Sequence, residues 1–283
     1  MIGFPNRVDS ATLSGGSWSS SLPRSNLQSR VLGKVARTAN VTTAATQFDI
    51  DLGSDMKVRV FAVVNHNFSL FATYRLRGST VSNFASTVYD SGATFVDVWP
   101  VVYPSESLDW EDSNWWGGKY TAEQIEGYTR TLVVVLPANV TARHWRFEVN
   151  DTTNAAGYLD MGRVFIGPVW QPANNMSYGA ANGWETKTDV QEALGGAEYF
   201  QRRTPYRVAR FSLNWMSEDE GMANAFELQR RAGIDQDVLW IHDPDDTVHA
   251  LRRQFLGRLR QLSPIEYPYP LTQSAGFEIK EIL

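Results

Sequence analysis

The chain contains no cysteine, which excludes disulfides, thiolate catalysis and cysteine-ligated metals and leaves packing or assembly as the source of stability. Histidine is scarce: the four are His66, His144, His242 and His249, scattered, without the His-x-x-x-His or His-Glu-x-x-His spacing of a zinc site. Lysine is confined to Lys34, Lys57, Lys119, Lys187 and Lys280, so arginine carries most of the positive charge. A formal net charge of -5 offers no basic excess for nucleic acid or an anionic membrane. No apolar run approaches the roughly 20 residues of a membrane-spanning helix, and the opening MIGFPNRVDS lacks the basic-then-apolar build of a secretory signal. The expectation is a protein made and retained in a cytoplasm, with no membrane partner.

Catalytic patterns are missing as well. There is no Gly-x-Ser-x-Gly elbow and no phosphate-cradling Gly-x-Gly-x-x-Gly. Asp243-Pro244-Asp245-Asp246 could gather oxygens for calcium, but it lacks the glycine and distal glutamate of an EF-hand and reads first as a turn. Glu106, Asp109, Glu111 and Asp112 are acidic enough for a glycosidase pair, yet nothing in the sequence sets their separation. His66, between Asn65 and Asn67, reads as a polar turn residue. The chain is therefore expected not to be an enzyme, with no cofactor and no metal.

What is present is apolar and aromatic: 43% hydrophobic residues and 12% aromatics over 283 residues, enough for one large or two ordinary cores. Residues 58–64 place Val58, Val60, Ala62 and Val64 on one face and Arg59, Phe61 and Val63 on the other. Trp145, Phe147 and Val149 likewise alternate with His144, Arg146, Glu148 and Asn150, the period of two that strands require. In all, strands are expected at 47–52, 57–65, 70–78, 94–99, 131–136, 143–150 and 160–167, between turn-forming Gly, Asn, Asp and Pro. Residues 1–40, rich in Ser, Gly and Asn, read as an extended arm over the body or a neighbouring subunit. The Pro- and Asn-rich 169–183 reads as a linker, which leaves a β-sandwich over 41–168 and a second domain over 184–283.

The second domain carries strands at 184–194, 197–201, 206–215, 238–242, 252–262 and 276–283, and a single helix over 217–232. Ser217 with Glu220 fits a capping box, Met222, Ala225, Phe226 and Gln229 recur at helical spacing, and Gly233 stands at the C-terminal cap. In the first domain, the long loop 99–127 holds Trp110, Trp115, Trp116 and Tyr120 among carboxylates. Aromatics with interspersed acids suit stacking on a sugar ring, and they equally suit packing or a subunit contact.

Phe48-Asp49-Ile50-Asp51-Leu52-Gly53, the strand into Val64-Asn65-His66-Asn67 and the segment from Trp145-Arg146 to Gly162-Arg163 resemble the galactose-binding-like, discoidin-type jelly-roll family. The whole chain resembles tailed-phage and prophage tail structural proteins, through SGGSWSSSLPRSNLQSRVLGKVAR, Asp109-Trp110-Glu111-Asp112, GRVFIGPVWQP and the stretch from Ser263-Pro264-Ile265-Glu266-Tyr267-Pro268 to Phe277-Glu278-Ile279-Lys280-Glu281. That resemblance implies a tail-tube or distal-tail-like second domain and a non-enzymatic component of the tail tip or baseplate. Its expected partners are itself, in a homo-oligomeric ring (a hexamer, with a trimer as the alternative), the tail tube protein and other tail-tip proteins, and its expected place is the virion. Arg202, Arg203, Arg207 and Arg210 would face Glu218, Asp219 and Glu220 of a neighbouring subunit or merely solvate the surface. The alternative is a carbohydrate-binding module contacting a host-surface glycan through the Trp-rich loop.

Overall fold

Two strands of unusual length organise the first half of the chain. In the computed structural model, which describes residues 1–283 (Ser105 by its backbone alone), the strands expected at 47–52 and 57–65 are one strand, Phe48–His66. Those expected at 131–136 and 143–150 are likewise one, Thr131–Asn150. The pair runs antiparallel from Phe48 opposite Phe147 to Val64 opposite Thr131, with the register shifting between Asp51 and Met56 and again between Val58 and Val60. Such irregularities bend a strand, so each strand serves two leaves. One half is flanked by Thr12–Ser14, by Thr73–Ser79 and, beyond it, by Thr87–Asp90. The other half is flanked by Asp160–Gly167, which in turn takes Ala36–Arg37. Phe61 from one leaf and Phe147 from the other meet at 4.8 Å between ring centroids. The leaves thus face each other as a β-sandwich, in line with the mainly β, jelly-roll expectation.

Alternation of a buried and a wet face holds on one leaf. Trp145, Phe147 and Val149 are buried, while Arg146 and Glu148 carry ion pairs to Asp49 at 2.6 Å and to Arg77 at 2.9 Å. On the other leaf it fails: Val58, Val60, Phe61, Ala62, Val63 and Val64 are all buried. The N-terminal segment packs over the body, along Asp160–Gly167, and its Val8 and Leu27 join Phe61 and Val63 in the sandwich core. Asn6 Nδ2 donates to Val164 O at 3.0 Å and Asn6 Oδ1 accepts from Ile166 N at 3.2 Å, which satisfies a strand edge. The buried Arg163 donates to Gln28 O and to Asp9, each at 2.6 Å, and Val8, Leu27 and Leu32 are buried.

The chain divides into two units: Met1–Val169 with Leu239–Phe255, and Trp170–Val238 with Leu256–Leu283. Two stretches therefore differ from the expected boundaries. Residues 170–183, expected as a linker, belong to the second unit, where Trp170 Nε1 donates to Glu220 at 3.1 Å and its ring meets Phe277 edge-on. Residues 239–255, expected in the second domain, belong to the first, and the strand expected from 252 begins there as a helical turn, Ala250–Arg253.

The second unit is also mainly β. Tyr206–Ser217 pairs with Thr272–Glu281 and with Ala181–Glu185, and Phe211 stacks on its register partner Phe277 at 5.5 Å. Its main helical run spans residues 218–232, with a π-helical stretch, Gly221–Phe226, at its centre. Ser217 caps it by accepting from Glu220 N at 3.2 Å, and Gly233 ends it at φ +53°, a conformation glycine tolerates best. The Glu220 carboxylate reaches Trp170 and Ala173 N instead of closing the capping box. The buried stripe is Gly221, Ala225, Leu228 and Ala232, and Phe226, expected inward, is exposed. The close approach of Gln273 to Gly221, where a Cβ would lie 1.8 Å from its Oε1, turns the helix that way.

Candidate functional site

The Trp-rich loop is built from its own backbone bonds. Val102 N and Tyr103 N both donate to Gly118 O, at 2.8 and 2.9 Å, and Gly118 N donates back to Asn114 O at 2.8 Å. Asn114 Nδ2 holds Lys119 O at 2.8 Å. Asp112 Oδ2 accepts from Asp109 N at 3.0 Å, so one of the four loop carboxylates is a turn former. Lys119 ties the base of the loop to Asp97 at 2.9 Å. Thr121 and Gln124 close a full capping box on the short helix Ala122–Ile125, whose Ile125 is buried.

Held this way, the four aromatic residues separate into two groups. Trp110 and Trp116 stand in solvent at 78% and 90% exposure, and Trp115 supports Trp116 edge-on, with ring centroids 4.7 Å apart and planes at 88°. Tyr120, expected beside them, is only 3% exposed. Its hydroxyl donates to Val248 O, its ring lies 6.1 Å from Tyr103 and 5.7 Å from the Arg252 guanidinium, and burial raises its pKa against the opposing pull of Arg252. Tyr120 anchors the loop and presents nothing to a ligand.

His66 is not a turn residue in water. It is buried at the end of its strand, stacked on Phe68 at 4.2 Å and 5.8 Å from Trp99, with Nδ1 accepting from Phe68 N at 3.2 Å. Burial first, and Arg130 second, lower its pKa to about 3, so it is a neutral core ring. Asp243 to Asp246 form a turn: Asp243 Oδ1 accepts from Asp245 N at 3.0 Å, and Asp246 accepts from His249 N and Arg253, both at 2.9 Å. Among the described residues no group of three or more His, Asp or Glu could hold a metal ion.

No protein-family model matches the chain. No curated protein matches it either. Among solved structures, it is similar to the lectin domain of lectinolysin complexed with Lewis B antigen, at 14% identity and TM-score 0.39 over 59% of this chain and 99% of that one. A family 32 carbohydrate-binding module from C. perfringens NanJ in complex with galactose overlaps at 10% identity and TM-score 0.38, over 59% of this chain and 98% of that one. A Streptococcus pneumoniae fucose-binding module overlaps at 10% identity and TM-score 0.37, over 58% and 94%.

The remaining expected site residues lie in the second unit and do not form one cluster. Arg207 is buried and bound by the Glu281 carboxylate, which accepts from Arg207 Nε and from Arg207 N, each at 2.9 Å. Arg210 reaches Glu185 at 2.6 Å and Glu278 at 2.9 Å, so both arginines are engaged within the chain. Glu220 is taken by Trp170 and Ala173. Arg202, Arg203, Glu218 and Asp219 are exposed.

Proposed function

We propose that this protein is a non-catalytic carbohydrate-binding protein whose ligand stacks on Trp110 and Trp116. The observation that carries this reading is two tryptophans left in water on a loop that its own hydrogen bonds hold in shape. An indole offers a large apolar face, and covering it is worth on the order of 2–3 kcal/mol. A protein that braces such a face outward presents it to a partner. The apolar C–H face of a sugar ring fits it, and Asp109 and Glu111 in the same loop supply acceptors for hydroxyl groups. A glycan array of the soluble protein tests this. Binding to a defined glycan, lost in Trp116→Ala with an unchanged melting temperature, supports it; a folded protein that retains no glycan sinks it.

A second reading, a homo-oligomeric ring component of a phage tail tip, draws on the second unit. The hairpin of Asp189–Glu192 and Glu198–Gln201 is exposed at every strand residue and shows Val190, Tyr199 and Phe200 to solvent, with Leu194 at its tip. An isolated two-stranded hairpin is marginal in water, so a neighbouring copy or a tube protein would complete it. Light scattering at high concentration, and a search for the protein in virions, separate the readings: a monomer absent from particles removes the ring.

A further inference from the structure

A cavity of about 680 Å³ lies wholly within the second unit, lined by Lys187, Arg203, Arg258 and Lys280 together with Tyr206 and Glu281. Other arginines of this unit have carboxylates: Arg207 has Glu281, while Arg210 and Arg260 share Glu185 and Glu278. The four cations of the cavity make no ion pair with a carboxylate among the described residues. Glu281, the acid in the wall, already spends its oxygens on Arg207. The balance of charge in the lining is positive.

Two features make this more than a solvated basic surface. Arg258 and Lys280 are register partners on adjacent antiparallel strands, which puts two like charges directly opposite on one face, an arrangement that costs stability unless an anion joins it. The Arg258 Nε is also buried without a hydrogen-bond acceptor, an expensive omission for a guanidinium donor. Lys280 sits with its ammonium 4.2 Å above the Tyr206 ring. Its pKa is lowered first by burial and then by Lys187, Arg260 and Arg258, with Glu185 opposing.

We infer that this cavity is a binding site for a small polyanion, a ligand carrying two or more phosphate, sulfate or carboxylate charges. Arg258 and Lys280 hold the anion at the floor, and Lys187 and Arg203 close on it from the exposed rim. The volume falls within the usual range of small-ligand pockets. The site is separate from the Trp-rich loop and stands or falls independently of it.

Isothermal titration of the full chain with inorganic pyrophosphate, and in parallel with citrate, tests the inference at low ionic strength. Saturable binding of one ion per chain that weakens as sodium chloride is raised is expected, and the better of the two probes tells phosphate from carboxylate preference. Arg258→Gln with Lys280→Gln should weaken binding about tenfold or more, and the exposed Lys187→Gln, which cannot disturb the core, a few-fold. Trp116→Ala should leave it unchanged. No saturable heat with either ion, or equal affinity in the Lys187→Gln and double variants, overturns the proposal.

Discussion

Lowering the pH should destabilise the first unit through one residue, His66. Its imidazole is packed between Phe68 and Trp99 and titrates at about 3 rather than at its ordinary 6.5. The neutral ring is the native form. Between those two values the unfolded chain binds a proton that the native one does not, so stability falls as the pH falls through that window. A full pH unit is worth about 1.4 kcal/mol and the unfolded ring is half protonated at pH 6.5, so the step from pH 6.5 to 4.5 removes about 2 kcal/mol. His66→Asn isolates the effect, because an asparagine Oδ1 can accept from Phe68 N where Nδ1 does now while the titrating ring is gone. At pH 7 the variant should be the less stable by about 1–3 kcal/mol, for the lost packing. By pH 4.5 the gap should close or reverse, as shown by urea unfolding at both pH values. The ion pairs are common to both proteins and cancel in the comparison. A gap of the same size at both pH values, or a His66 proton resonance titrating near 6.5, would refute the reasoning.

Asp9→Ala should cost about 3–5 kcal/mol in urea unfolding, because it takes the carboxylate from the fully buried Arg163 guanidinium, and removing both charges should restore much of the loss. Glu281→Gln should destabilise the second unit by a comparable amount, read in the same assay, since the buried Arg207 would keep its charge without a counter-charge. Gly118→Ala should loosen the Trp-rich loop: at φ +55° its Cβ would lie 2.5 Å from Tyr103 O, a strain of about 1–3 kcal/mol seen as faster proteolysis between residues 100 and 120.

The sandwich was legible because its strands write period two into the sequence and its long partner strands are rich in β-branched and aromatic residues. The continuity of Phe48–His66 was not legible. Gly53, Ser54 and Asp55 carry the chemistry of a turn, and cross-strand pairing to Thr131–Asn150 overrode it. The burial of His66 was not legible because its asparagine neighbours signal a turn, while Trp99 reaches it from elsewhere in the fold and Phe68, two residues on, stacks on its ring. The helix ends were readable from Ser217 and Gly233, but its inward face was not, since Gln273 decides that face from another strand. In the loop, exposed and buried aromatics look alike in sequence, and only the Tyr120 bond to Val248 O separates them. The cationic cavity left no local signal at all, because Arg258 and Lys280 come together only through strand register and Lys187 joins them from a connecting segment.

The division of the chain bears on how it can be made and cut. Residues 170–238 are inserted into the first unit, and 256–283 return to the second after 239–255 have gone back to the first. During synthesis from the N-terminus, the sandwich therefore waits for its last segment until residue 255 has emerged, and the second unit waits longer still. No single cut of the chain releases either unit intact. A fragment ending at 169 lacks the Val238–Ile241 strand that pairs with Ile2 and Gly3, and a fragment beginning at 170 takes that strand away with it. Isolating the sandwich for binding studies therefore calls for a loop that replaces 170–238 together with an end at 255, not for one truncation.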